Sequence, residues 1–293
     1  MAGVALFDGY SGPLERLGGL TNIVFRAGDF CLRIPGKGTE EYIDRKNEAG
    51  AARAAAAAGA APEVIHADPQ SGIMVTRFVE GAVTMTPDLF RSRPGAPARA
   101  GRAFKLLHES GARFDFRFEL FSMIDNYLKL LGGKTVELPD GYHDALREAE
   151  SVRAALSARR LPLVACHCDP LCENFVDTGE RMWIVDWEYS GMNDPLWDLG
   201  DLSVEAGFDA AREEEMMMAY FGRAPTAEER GRVVIYKAMC DLLWTLWGLI
   251  QHANDNPADD FWKYSVTRFE RCKALMREAS FPTHVTAVAE GAA

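Results

Sequence analysis

The sequence predicts an α+β protein in two lobes: a small β-rich N-lobe over residues 1–80 and a larger helical C-lobe over 81–293. Three observations predict it. Short apolar runs with a period of two crowd the first lobe, helical periodicity dominates the second, and one polar hairpin segment interrupts the helices. A chain of 293 residues is long for one core and comfortable for two.

The elements follow in order. Residues 14–34 read as a hairpin region: LERL, then Gly18-Gly19, then TNIVFR, a turn at AGD, and FCLRIP. Phe30, Leu32 and Ile34 alternate with Cys31 and Arg33, the period of a half-buried strand. The Ala-rich residues 40–60 predict a helix. GIMVTRFVEG, residues 72–81, predicts a strand and a turn. Residues 87–97 hold three prolines and a glycine and predict a connector. Helices are expected over 98–110, over 122–131 with Ile124, Tyr127, Leu128 and Leu131 on one face, and over 141–160. After the polar hairpin two or more helices follow, one of them containing 231–253. The tail, 285–293, is expected to fray.

Composition narrows the function classes. Hydrophobic residues make up 48% and charged residues 26%, as in a soluble globular protein. A net charge of −11 argues against nucleic acid, which needs clustered Lys and Arg. The same acidity suits a small cationic ligand. The N-terminus lacks the basic start of a signal peptide, and no run of about 18 apolar residues predicts a membrane span. Six cysteines in so long a chain read as reduced thiols in the cytoplasm.

The segment His167–Gly191 carries the chemistry. It gathers Asp169, Glu173, Asp186 and Glu188 with Asn174 and closely spaced cysteines. LVACHCD predicts a short strand ending in a loop that holds Asp169. NFVDTGERMWIVDW predicts strand, turn and strand, anchored by Phe175, Trp183, Ile184 and Val185, with Asp186 at the end. Two carboxylates and a carboxamide at one end of a hairpin suit a hard cation completed by phosphate oxygens. Asp169 can act on the proton of an attacking hydroxyl while Asn174 and Asp186 hold Mg2+. Cys166, His167, Cys168 and Cys172 could alternatively suggest zinc, but Cys-x-Cys on a strand sends its thiols to opposite faces. Trp244 and Trp247 share a helix face with Cys240 and Gln251, either as a core stripe or as a wall for a quaternary ammonium.

His167-x-Asp169-x4-Asn174 followed by Ile184-Val-Asp186-Trp-Glu-Tyr-Ser-Gly resembles the signature of the aminoglycoside phosphotransferase and choline kinase superfamily. DWEYSGMNDPLWDLGDLSVE is similar to choline and ethanolamine kinases, most of all to bacterial choline kinases. The resemblance runs from about Leu14 to about Arg271 and implies a protein-kinase-like fold. It implies ATP and Mg2+ as cofactors, with Asp169 as the catalytic group and Asn174 and Asp186 as metal ligands. It places Gly18, Gly19, Thr21 and Asn22 in a loop over the phosphates. It sets Arg33 where protein kinases carry Lys, with Glu48 as ion-pair partner and Glu40, Glu41 and Asp44 as rivals. The backbone from Arg77 to Val79 would read adenine. His167 would orient the loop, and Asp198 would brace it.

The same resemblance changes the reading of the tryptophans. WTLWGLIQ is similar to the helix whose two tryptophans box trimethylammonium in choline kinases. It implies Trp244, Trp247, Tyr264 and Tyr189 as a cage, with Glu205 facing the cation. Cys168, Leu171 and Ala206 depart from the family pattern and bear on pocket width. The implied activity is a choline kinase, working as a monomer or homodimer. Ethanolamine, thiamine or an aminoglycoside is the alternative acceptor. A catalytically silent nucleotide- or choline-binding regulator is the rival from another class, against which the intact Asp169, Asn174 and Asp186 argue.

Overall fold

Alternating apolar side chains after Leu14 build a sheet. The computed structural model describes residues 4–18, 22–36 and 43–291. In it β1 (Glu15–Gly18), β2 (Ile23–Ala27), β3 (Phe30–Ile34), β4 (Val64–Ala67) and β5 (Met74–Arg77) form an antiparallel sheet in the order β1-β2-β3-β5-β4. Ala27 pairs with Phe30 across a two-residue turn, and Gly28 there has a φ of 60°, which glycine adopts without a Cβ clash. Ala27, Leu32 and Val75 pack with Val4 and Phe7 in a small core of their own. β4 was not foreseen, because four residues are too few to show a period. Helix α1 (Arg45–Ala57) is capped by Asp44, whose side chain accepts from the amides of Lys46 and Asn47.

Residues 87–97 are not a plain connector. Thr86 caps α2 (Pro87–Ser92), and α3 (Ala96–His108) starts within the proline-rich stretch. Pro87 and Pro97 lie in first turns, where a missing N–H breaks no helical bond. Next come α4 (Leu120–Leu131), α5 (Tyr142–Glu148) and α6 (Glu150–Ala158). The single helix expected over 141–160 is thus two, broken at Ala149 with no glycine or proline to mark the break.

The polar segment forms β7 (Val164–Cys166), β8 (Phe175–Asp177), β9 (Met182–Ile184) and β10 (Gly191–Asn193). β8 pairs with β9, and a short strand β6 (Val83–Thr84) joins its other edge. β10 turns back to pair with β7, Gly191 opposite Cys166. Five helices complete the chain: α7 (Leu196–Glu205), α8 (Ala210–Phe221), α9 (Ala227–Ala253), α10 (Phe261–Met276) and α11 (Phe281–Glu290). Helix α9 begins with a capping box between Thr226 and Glu229. It is long and apolar enough to cross a bilayer, but 89% of its apolar window is buried inside the protein, against α4, α7, α10 and α11. Over its described residues, 285–291, the tail does not fray as expected: Val288 is fully buried, and α11 packs on α9 and α6.

Asp177 fixes the hairpin to the helices. Its buried carboxylate takes a forked pair of bonds from Arg99, at 2.8 and 2.6 Å, and one from Arg93 at 2.9 Å. The amide of Gly179 adds a fourth at 3.0 Å. Removing one partner strands a buried charge, so Asp177→Ala is expected to cost about 3–5 kcal/mol. Urea unfolding checks this; a loss under about 1 kcal/mol would mean the guanidiniums find water instead.

Candidate active site

The two strand pairs of the polar segment bring distant residues to one end. Asp169 follows β7, Asn174 ends a 3-10 turn before β8, and Asp186 follows β9. The amide of Val185 donates to the Asn174 carbonyl at 2.8 Å, so the backbone beside Asp186 is tied to that of Asn174. Asn174 Nδ2 donates to the Asp169 carbonyl at 2.9 Å. Asp186 and Cys168 both adopt positive φ, 65° and 69°, rare for non-glycine residues and frequent at functional sites. Glu173 points outward and is exposed.

Asp198 holds the loop. Its buried carboxylate accepts from the amides of His167 and Cys168, both at 2.8 Å, and pairs with His108 Nε2 at 2.9 Å. His167 Nε2 meets the Val185 carbonyl at 3.0 Å and links the two halves of the segment. Both residues orient the loop, as expected. The neighbouring thiols are dispersed: Cys166 faces the carbonyls of Asn193 and Asp194, and Cys168 those of Cys166 and Gly191. All six cysteines are free thiols.

On the sheet side, Arg33 pairs with Glu48, as expected, and also reaches Asp186 at 3.2 Å and Glu188 at 3.4 Å. Arg45 bonds Glu48 at 2.9 Å and Glu188 at 3.2 Å. Asn22 donates to Asp186 and Glu188 at 3.2 and 3.3 Å. Burial and then Asp186 push Glu188 up to about 7, against Arg33 and Arg45. Oxygens of Glu48, Asp186 and Glu188 lie within 4.8 Å of one another. Gly18 closes β1, while Gly19 and Thr21 lie outside the described residues. The Arg77 amide donates to Glu63 and that of Phe78 to Asp29, so within Arg77–Val79 two amides are committed to protein partners. The Arg77 side chain is exposed, beside Glu63 and the Phe30 ring.

On the helical side the four aromatic residues do converge. Tyr189 meets Trp244 edge to face at 5.1 Å, Trp244 meets Trp247 at 6.5 Å, and Trp247 meets Tyr264 at 5.7 Å. Trp247 Nε1 donates to the Tyr189 hydroxyl at 2.7 Å. Glu205 lies nearby but is gripped by Arg268 through two bonds, at 2.5 and 2.8 Å, and by Arg271 at 3.3 Å. Arg268 also stacks on the Tyr264 ring, 4.5 Å from its centre. Burial, then Asp201, Asp186, Glu188 and Glu205, push the Asp169 carboxyl well above the usual carboxylate range.

Sequence reasoning gave no role to Arg45, Asp201 or Arg268, and did not place Glu188 among the ion pairs. Glu188 was visible as the second acid in the Asp-Trp-Glu stretch. Arg268 stands one helical turn after Tyr264, a spacing that puts both on one face. Arg45 and Asp201 carried no local signal.

The model of the phosphotransferase enzyme family matches residues 15–233. The solved structure of a choline/ethanolamine kinase family protein from Mesorhizobium loti is 68% identical, with a TM-score of 0.93, covering 99% of this chain and 97% of that one. Choline kinase LicA from Streptococcus pneumoniae is 26% identical, with a TM-score of 0.76, covering 90% and 93%. Protein LicA from Haemophilus influenzae is 26% identical over 288 residues, 92% of this chain and 81% of that protein. The lobes, the braced loop and these matches agree: the chain belongs to the phosphotransferase enzyme family, among its choline/ethanolamine kinases, and is an ATP-dependent kinase of an alcohol.

Proposed function

We propose that the protein is an ATP- and Mg2+-dependent choline kinase that transfers the γ-phosphate of ATP to the choline hydroxyl, giving phosphocholine. One observation carries this reading: the segment that holds Asp169 also places Asp186 and Glu188 in a carboxylate–guanidinium cluster and Tyr189 in a cluster of four aromatic residues. Residues 1–80 would hold the nucleotide and 81–293 the acceptor. The likeness to choline kinase LicA supports choline, and ethanolamine is the first alternative. Free thiols throughout suit a reducing cytoplasm.

The donor set fits the metal. Asp186 and Glu188 offer hard oxygens, and Asn174, its Nδ2 spent on the Asp169 carbonyl, keeps its Oδ1. Asn174 and Asp186 would hold Mg2+, which when bound supplies charge neutralisation on the phosphate groups. Arg33, fixed by Glu48, binds the triphosphate together with Asn22, and Gly18, Gly19 and Thr21 are further proposed contacts to the phosphates. Val79 and the backbone near Arg77 line the adenine side. Asp169 orients the acceptor hydroxyl and takes its proton, a task helped by a carboxyl held above its usual range. Trp244, Trp247, Tyr189 and Tyr264 receive the ammonium head, with Glu205 at the edge of the pocket.

Coupled ADP release with choline, ethanolamine, thiamine and an aminoglycoside tests the reading. Choline is expected to give the highest kcat/KM, and turnover of an aminoglycoside alone would overturn it. Asp169→Ala is expected to lower kcat about 100- to 10,000-fold with unfolding unchanged. A mutant keeping most of its activity would remove Asp169 from the mechanism. Trp247→Ala is expected to raise KM for choline about tenfold and leave KM for ATP within about twofold. Equal changes in both would make the ring ordinary core.

A further inference from the structure

Helix α1 carries Glu48, the partner of Arg33, and its buried face is mostly alanine. Ala49, Ala51, Ala52 and Ala55 lie in the core that runs through the helical lobe, which Ala67 and Met74 of the sheet also join. Ala27, Leu32 and Val75 form the sheet's separate core. Apolar burial is non-directional, and a methyl group makes few contacts. Such a face holds α1 down without fixing where it stops along its axis.

Directional bonds supply that register. Asn47, in the first turn of α1, is buried and uses both ends of its carboxamide. Nδ2 donates to the Ser190 carbonyl at 2.8 Å, and Oδ1 accepts from the Phe116 amide at 3.2 Å. The Phe116 carbonyl accepts in turn from the Met192 amide at 2.8 Å, so both partners of Asn47 belong to the backbone around β10. Ser190 Oγ donates to the His167 carbonyl at 3.2 Å, which ties the same point to the loop that holds Asp169. Past the other end of α1, the Ala60 carbonyl accepts from the Ile184 amide of β9 at 2.9 Å. Arg45 and Glu48 also reach the catalytic segment, through Glu188 and through Arg33, but those partners are the charged groups that a nucleotide and its metal would claim. The bonds of Asn47 engage only backbone groups, outside that competition.

We propose that Asn47 is a positioning residue for the nucleotide side: it fastens α1 to the catalytic segment, so that Glu48 holds Arg33 in register with Asp186. It touches neither nucleotide nor acceptor and acts through Glu48, one residue on. A supporting residue that locks the group behind a binding side chain sets how well that side chain is preorganised. The proposal rests on the reading above that Arg33 binds the triphosphate, and it names what keeps Arg33 there.

The test measures wild type, Asn47→Ala, Ser190→Ala, Glu48→Gln and the double variant of Asn47→Ala with Glu48→Gln. ATP is varied separately from the acceptor that gives the fastest ADP release, and amide hydrogen exchange is followed over the whole chain. Asn47→Ala is expected to raise KM for ATP about tenfold, leave KM for the acceptor within about twofold, and speed exchange across α1 but not across β2 and β3. Ser190→Ala removes a buried bond at the same place and keeps the carbonyl that Asn47 holds, so its KM for ATP is expected to stay within about twofold. The double variant is expected to lose no more than Glu48→Gln does, because the two residues act as one unit. Asn47→Ala that is less stable yet keeps the wild-type KM for ATP overturns the proposal, since Asn47 is then structural only. An equal rise in Ser190→Ala, or full additivity with Glu48→Gln, overturns it too. A KM for ATP unmoved by Glu48→Gln counts against the Arg33 reading, and exchange then decides for Asn47: faster exchange across α1 supports the fastening, and unchanged exchange overturns it. If Asn47→Ala does not fold, Asn47→Asp, which keeps the acceptor for Phe116 and loses the donor to Ser190, is measured against the same outcomes.

Discussion

Asp198 accepts two backbone amides and pairs with one imidazole, and the placement of Asp169 follows from those three bonds. Cys168 sits at a φ of 69°, a conformation that costs a non-glycine residue about 1–3 kcal/mol. Hydrogen bonds to a charged group contribute about 1.5–3 kcal/mol each, so the carboxylate outweighs the strain. Trp197 adds a bond to the Cys168 carbonyl at 3.1 Å, and β10 closes the segment by pairing with β7. The backbone turn is thereby held, and Asp169, the next residue, points where the chain would not otherwise send it.

Around that fixed point the charges are sorted. On the sheet side, Arg33 and Arg45 are interleaved with Glu48, Asp186 and Glu188. On the helical side, Arg268 and Arg271 hold Glu205 and Asp241.

Much of this was legible because it is local. Alternation between Phe30 and Ile34 marked a strand, and the spacing of Asp169, Asn174 and Asp186 marked the reacting end. The pairing of Arg33 with Glu48 came from the family pattern, and the bracing role of Asp198 from its place at a polar helix start. What escaped is long-range or too short. β4 and β6 have four and two residues, and their identity as strands depends on partners elsewhere. Prolines at 87 and 97 suggested a break because composition does not tell a helix's first turn from a loop. Arg268 neutralises Glu205 across a gap of 63 residues, so no motif could show that its charge is already spoken for. The tail looked frayed because its small residues show no strong apolar period around Val288, which packing on α9 and α6 buries.

Phosphorus NMR of the reaction mixture bears most directly on the proposal that the braced Asp169 takes the proton of an amino-alcohol hydroxyl whose oxygen receives the γ-phosphate of ATP. With ATP, Mg2+ and choline, the account expects ADP and a phosphomonoester of choline to appear in equal amounts. ADP accompanied only by inorganic phosphate would contradict it, because water rather than the bound alcohol would then be the acceptor.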